Sequence, residues 1–416
     1  HQEEILAIEK QRIQEGLNAD QRAQLDRQEA ASNARYALGQ QNVMRNTAGP
    51  LETFLMSLPR TAAEMNEALQ SVASQGLQSI ADGLAAVITG TAKTAGKPFT
   101  VSKSGTGTYT LATATASSGP NHYGNGTNWS QGAEPQTGED VLIDGGPDIL
   151  WGLENQAASD FASLRILASF TGRVGLPYRD ESGDYVQYRG RRLAVATAVP
   201  VTIGEGEGSG PTLVNIGITT AAAVTVLATG SRALPDVPAV NLSGCGSGTL
   251  DVATGDVGVC ADDDTLTATV TTTRTNDGAA LVVGKGATLT TLHHGGGAVL
   301  NRGTVTTLNQ SSGTFTSYGT ATTVTVDPAS DAETLFDWRS SVTITTATFR
   351  GQPGAPAPQL ECGNDPRART ITNGTFTGGA ILHDPDKLTT WSNPLNFDRA
   401  SMAASDVGSR FTLART

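Results

Sequence analysis

The sequence predicts a mainly β chain: a right-handed parallel β-helix, or β-solenoid, preceded by an α-helical N-terminal segment. Three observations carry that expectation. The first is a period. Within residues 286–324, "GATLTTLHHGGGAVLNRGTVTTLNQSSGTFTSYGTATTV", Leu289, Val305 and Ala321 fall sixteen residues apart, as do Leu292, Leu308 and Val324, and again Val299 and Phe315. A unit that short buries no core alone, so such units must stack. The second is composition. Gly reaches 48 residues, while charged residues make up 16% and aromatics 5% of the chain. Stacked coils lie about 4.8 Å apart, which forces equivalent inward positions to be similar in size. Thr suits the outer faces because it is β-branched and pairs laterally, and Gly permits tight corners. The third is an abrupt change of texture near residue 93, from helix-favouring to strand-and-turn sequence.

In chain order, residues 1–48 read as polar Gln/Glu-rich helices, with a break at Gly16-Leu17-Asn18, Asn18 as a cap and Gln21 three residues on. They lack an apolar stripe and are expected to lie on a partner or on copies of themselves. Residues 49–96 read as an amphipathic helical docking segment. Thr61 and Glu64 form a capping box, and Met65, Leu69, Val72, Ile80, Leu84 and Val87 recur at helical spacing up to Gly90. Residues 97–145 are read as an N-terminal cap and first strands, including Trp129 and the apolar run Val141-Leu142-Ile143. Residues 146–387 form the solenoid, expected to hold about 13–17 coils in a rod on the order of 60–80 Å, wound right-handedly as parallel crossovers are. Within it, "DPASDAETLFDW" reads as an insertion delaying the next strand to Ile344, and "GQPGAPAPQLECGNDPRA" as a long Pro-rich loop. Residues 388–416, with Trp391 and Pro394, read as a C-terminal cap shielding the open edge of the stack.

A formal charge of −12 excludes a nucleic-acid partner, which requires clustered Lys and Arg. No apolar run reaches the ~18–20 residues of a membrane span; "LQSIADGLAAVITG" comes nearest and is interrupted by Asp82 and Gly83. Cys245, Cys260 and Cys362 lack metal-ligand spacing and read as small buried hydrophobes, with a Cys245–Cys260 pair as the alternative if the two sit on adjacent coils.

Parallel β-helices host glycan-cleaving enzymes that use paired carboxylates, or Ca²⁺ with basic residues. The acidic candidates are Asp262-Asp263-Asp264; Asp327 with Asp331, Glu333 and Asp337; and Asp384 with Asp386. Against catalysis, carbohydrate clefts want exposed aromatics, and Trp129, Trp151 and Trp391 sit in cap or core contexts. Asp also serves turn geometry as a matter of course. Glu205-Gly206-Glu207 is an acidic loop without the regular spacing of Ca²⁺ repeats. His293-His294, beside a Gly triplet, is read as a solvated turn in preference to a metal site. No catalytic, cofactor-binding or metal-ligating residue is assigned, and no cofactor is expected.

Residues 49–91, "GPLETFLMSLPRTAAEMNEALQSVASQGLQSIADGLAAVITGT", resemble the C-terminal part of tail tape-measure proteins of long-tailed bacteriophages. In that family the chain continues helically, whereas here Lys97-Pro98 leads into β sequence. Residues 120–416 resemble a group of β-solenoid proteins encoded in phage-like and environmental bacterial genomes. The matching phrases are "NWSQGAEPQTGEDVLIDGGPDILWGL", "FTGRVGLP", "IGEGEGSG" and "GSRFTLART". The resemblance implies the fold and a virion context, and brings no activity. The expectation is therefore a non-enzymatic bacteriophage virion structural protein, tail-associated or particle-decorating. Its expected partners are other virion proteins, through the N-terminal helices, and copies of itself, as a trimer. A glycan-acting tailspike that touches host-surface glycan is the first alternative and a bacterial surface adhesin the second.

Overall fold

The computed structural model describes residues 119–153, 161–177, 192–196, 199–219, 221–329 and 331–402. The helices expected over 1–48 and 49–96, residues 97–118 of the expected N-terminal cap, and residues 403–416 lie outside the described residues.

The described chain is mainly β and forms one long parallel sheet that does not close, a β-solenoid. From Ala268–Thr275 to Gln359–Glu361 each strand pairs with the strands two before and two after it. Ala287–His294 lies between Ala268–Thr275 and Thr304–Gln310, while the intervening Ala298–Asn301 lies between Ala279–Val283 and Gly313–Ser317. Every ladder joining these strands is parallel. In Ala287–His294, Leu289 and Leu292 are both buried, with Thr290 and Thr291 both facing outward between them. That three-residue step breaks the two-residue alternation of a flat strand and turns the chain through a corner. Each coil thus has three short sides.

The register places Leu289, Val305 and Ala321 on consecutive rungs, likewise Leu292, Leu308 and Val324, and Val299 beside Phe315. The sixteen-residue period is the coil. One inward column runs Ile143, Ile166, Ile203, Val226, Val252, Thr275, His294, Gln310, Val326, Phe349, Phe376, Phe397. At about 4.8 Å per rung these twelve coils span on the order of 50 Å. The count is below the expected range because several coils carry loops that lengthen them. The apolar members up to Phe376 are buried, each worth about 1.5–3 kcal/mol, and Phe397 at the end of the column is half-buried. Toward the C-terminal end the columns turn aromatic: Phe315 stacks on Phe336 at 5.3 Å, and Phe349 on Phe376 at 4.9 Å. Such pairs add about 0.5–1.5 kcal/mol beyond area burial.

Corners bring backbone onto backbone. Gly297 and Gly313, on successive coils, have φ of 75° and 79°, and a Cβ on Gly313 would lie 2.4 Å from the Gly297 carbonyl oxygen. Only glycine fits there.

Two expectations are corrected. "DPASDAETLFDW" is not wholly an insertion, because Thr334–Trp338 is a strand parallel to Gly313–Ser317, with Phe336 on the rung next to Phe315. The Pro-rich stretch likewise holds the strand Gln359–Glu361, paired with Thr334–Trp338 and Ile381–His383. In both cases an inserted loop lengthens the coil and displaces the next strand from the sixteen-residue frame. At the C-terminal end, Thr389–Trp391, Asn396–Asp398 and Ser401–Met402 continue the parallel ladders.

Candidate functional site

The acidic residues that the sequence groups are separated by their partners. Asp262 is buried and accepts both hydrogen bonds of a 2.8 and 2.9 Å contact with Arg192 Nη2, itself nearly covered. Asp263 closes a turn by accepting from the Thr265 amide at 2.9 Å and from its hydroxyl at 2.6 Å. Asp264 pairs with Lys285. Asp337 is buried and accepts from Arg339 Nε at 2.8 Å, with Asn364 donating to its other oxygen at 3.3 Å. Asp327 accepts from Gln352 at 2.6 Å, while Asp331 and Glu333 are exposed. Asp384 is buried and accepts from the amides of Leu388 and Thr389, and Asp386 is exposed. Glu205 ends its strand in an ion pair with Arg165. These are turn locks and inter-coil ties. Among the described residues, no three His, Cys, Asp or Glu side chains are grouped to hold a metal ion.

His293 and His294 do not form a solvated turn. Both lie in the strand Ala287–His294, so the alternation sends His293 outward and buries His294 completely. His294 Nδ1 lies 2.7 Å from the Thr275 hydroxyl, and Nε2 lies 3.2 Å from the Thr314 carbonyl oxygen. Burial pushes its pKa down to about 4, only partly opposed by the Thr314 carbonyl and the charge of Asp277. A neutral imidazole donating to Thr314 and accepting from Thr275 satisfies both contacts. On the next rung Gln310 donates to the carbonyls of Gly313 at 2.7 Å and Leu335 at 3.1 Å. Thr275, His294 and Gln310 thus make three consecutive polar rungs inside an otherwise apolar column. Beside them, buried Asn301 donates to Ser317 Oγ at 3.1 Å and to the Thr320 carbonyl at 3.0 Å.

A second polar knot was not legible in the sequence. Arg369 is buried, lies over the Trp338 ring at 5.5 Å, and donates to the carbonyls of Trp338 at 3.0 Å and Cys362 at 2.8 Å, as well as to Asp365 and Arg367. It fills the carbonyl valences of a loop that bulges between Glu361 and Arg369. Neighbouring Arg367 holds the Asp365 carboxyl down at about 2.

Cys245, Cys260 and Cys362 are free and buried, and burial pushes each thiol up to about 12. Trp151 is buried; Trp129 packs edge-on to Tyr123, and Trp391 edge-on to Phe376. Among the described residues, no helix is long and apolar enough to cross a membrane.

Comparison of the chain with protein-family models, with curated proteins and with solved structures gives no match.

Proposed function

We propose that this chain is a non-enzymatic structural protein of a bacteriophage virion, tail-associated or particle-decorating. In this reading residues 49–96 form the helical docking segment on other virion proteins, and the right-handed β-solenoid projects as a stiff shaft. The Gln-rich helices of 1–48 hold copies together as a trimer. The observation that carries the proposal is the inward column from Ile143 to Phe397, in which each rung is paired in parallel with the next. The engagement of Asp262, Asp263, Asp337 and Asp384 in structural contacts supports a passive role over glycan cleavage.

The test is immunogold electron microscopy of purified particles with antibody raised against residues 192–402. Label on tails or capsids is the expected result. Absence of the chain from purified particles overturns the proposal, and label on the bacterial envelope assigns it to an adhesin. Release of oligosaccharide from host surface polysaccharide by the purified chain also overturns the non-enzymatic reading.

A further inference from the structure

We propose that one side of the solenoid is an ice-binding face, whose ligand is the ordered water lattice at the surface of an ice crystal. The triplets centred on Val270, Leu289, Val305, Ala321, Ile344 and Ile371 all read Thr-x-Thr. Each central residue is buried, so its two flanking threonines point outward on the same side of the coil. The register aligns Thr269, Thr288, Thr304 and Thr320 rung on rung, and Thr370 aligns with Thr390. Two parallel ranks result. Successive threonines lie about 4.8 Å apart along the axis and roughly 6.6 Å apart along the strand. Both spacings are of the size at which water oxygens repeat on the prism face of ordinary ice.

The chemistry fits that ligand. A hydroxyl donates and accepts, as a lattice water does, and the adjacent methyl orders the water around it. A β-branched side chain is stiff about χ1, so the array is preorganised. The two ranks carry no charge to impose hydration of another geometry. Thr271 donates to the Ser247 carbonyl at 2.6 Å, but the other hydroxyls of the six triplets have no hydrogen-bond partner among the described residues and are available to water.

Strand propensity alone would spread threonine over all three sides. The spread is uneven. On the side of Ala279–Val283 the outward positions are Ala280 and Val282 there, Gln359 and Glu361 in Gln359–Glu361, and threonine in the one strand that carries Thr314 and Thr316. The third side adds a single rank, Thr272, Thr291, Thr307 and Thr323, next to the paired threonines. The pattern also survives changes of coil length. Loops lengthen the coil step from sixteen residues to twenty-three and then twenty-seven, yet Thr-x-Thr returns at Ile344 and Ile371. A flat crystalline polysaccharide is the other lattice of comparable regularity, but its recognition relies on aromatic platforms that these ranks lack. The inference requires only the solenoid and is independent of attachment to a particle.

The test is ice-affinity partitioning of the full chain, with ice grown slowly from dilute solution and protein measured in ice and liquid. The expected result is several-fold enrichment in the ice. T306Y, which raises a ring from the middle of the array, should lower the enrichment at least several-fold, and A298Y on another side should leave it unchanged. Circular dichroism verifies folding, and T290K one coil away serves if T306Y fails to fold. Exclusion of the wild-type chain from ice, equal partitioning of T306Y or T290K, or binding to insoluble cellulose or chitin without ice enrichment would each overturn the assignment.

Discussion

Thr273 occupies one rung of an aliphatic column, with Leu250 on one side and Leu292 on the other. Its side chain is fully buried, and its hydroxyl oxygen has no hydrogen-bond partner. A hydroxyl taken from water without compensation costs about 1–3 kcal/mol in proteins. Valine has nearly the same shape and replaces that hydroxyl by a methyl group. T273V should therefore stabilise the solenoid by about 1–3 kcal/mol. For a cooperative unit of roughly 250–300 residues this raises Tm by about 2–5 °C. The assay is scanning calorimetry with urea midpoints at neutral pH, and T272V, at the partly exposed neighbouring position, is the control, expected within about 0.5 kcal/mol of wild type. A T273V midpoint equal to or below that of wild type would refute the reasoning, since it would mean that the hydroxyl is satisfied in solution or that the rung has no room for the methyl.

Three further outcomes follow from the buried polar groups. His294 is held neutral to about pH 4 in the folded chain, against an ordinary value near 6.5, so the unfolded chain takes up the proton first as pH falls. Stability from this site is complete above ~6.5 and drains away toward 4, with about 2 kcal/mol gone by pH 5. Urea midpoints at pH 7.5 and 5 should differ less in H294Q than in wild type, and equal differences would contradict the burial argument. D262A leaves Arg192 buried without its carboxylate and should cost about 3–5 kcal/mol, most of it recovered in the double variant R192L/D262A; denaturant midpoints of the three chains check this. The three thiols, raised to about 12 by burial, should resist thiol reagents at pH 8 and all react in guanidinium; a fast-reacting thiol in the native chain would count against their placement.

The solenoid was legible wherever consecutive coils had the same length and apolar inward residues. Leu289, Val305 and Ala321 announce themselves because a stack demands like on like. The frame was lost where a loop intervened: Phe336 follows Phe315 by twenty-one residues, so its strand passed for insertion. His294 was misread because its column neighbours Thr275 and Gln310 are also polar, which hid the inward phase of that side. The carboxylates were legible as residues but not as partners. Asp262 meets Arg192 across 70 positions of sequence, a pairing set by the winding and by nothing local. Arg369 was invisible for a related reason, since its acceptors are backbone carbonyls that leave no signature in the sequence.

The uneven coil lengths have a practical side. Loops at 327–333, 351–358 and 363–368 enter and leave at corners, and the rungs on either side stay paired. A foreign peptide spliced into one of them would be held at a set height, and moving it by one coil would shift that height by about 4.8 Å. The shaft is in that sense a graduated ruler, able to carry different labels at its marks while the scale itself stays fixed.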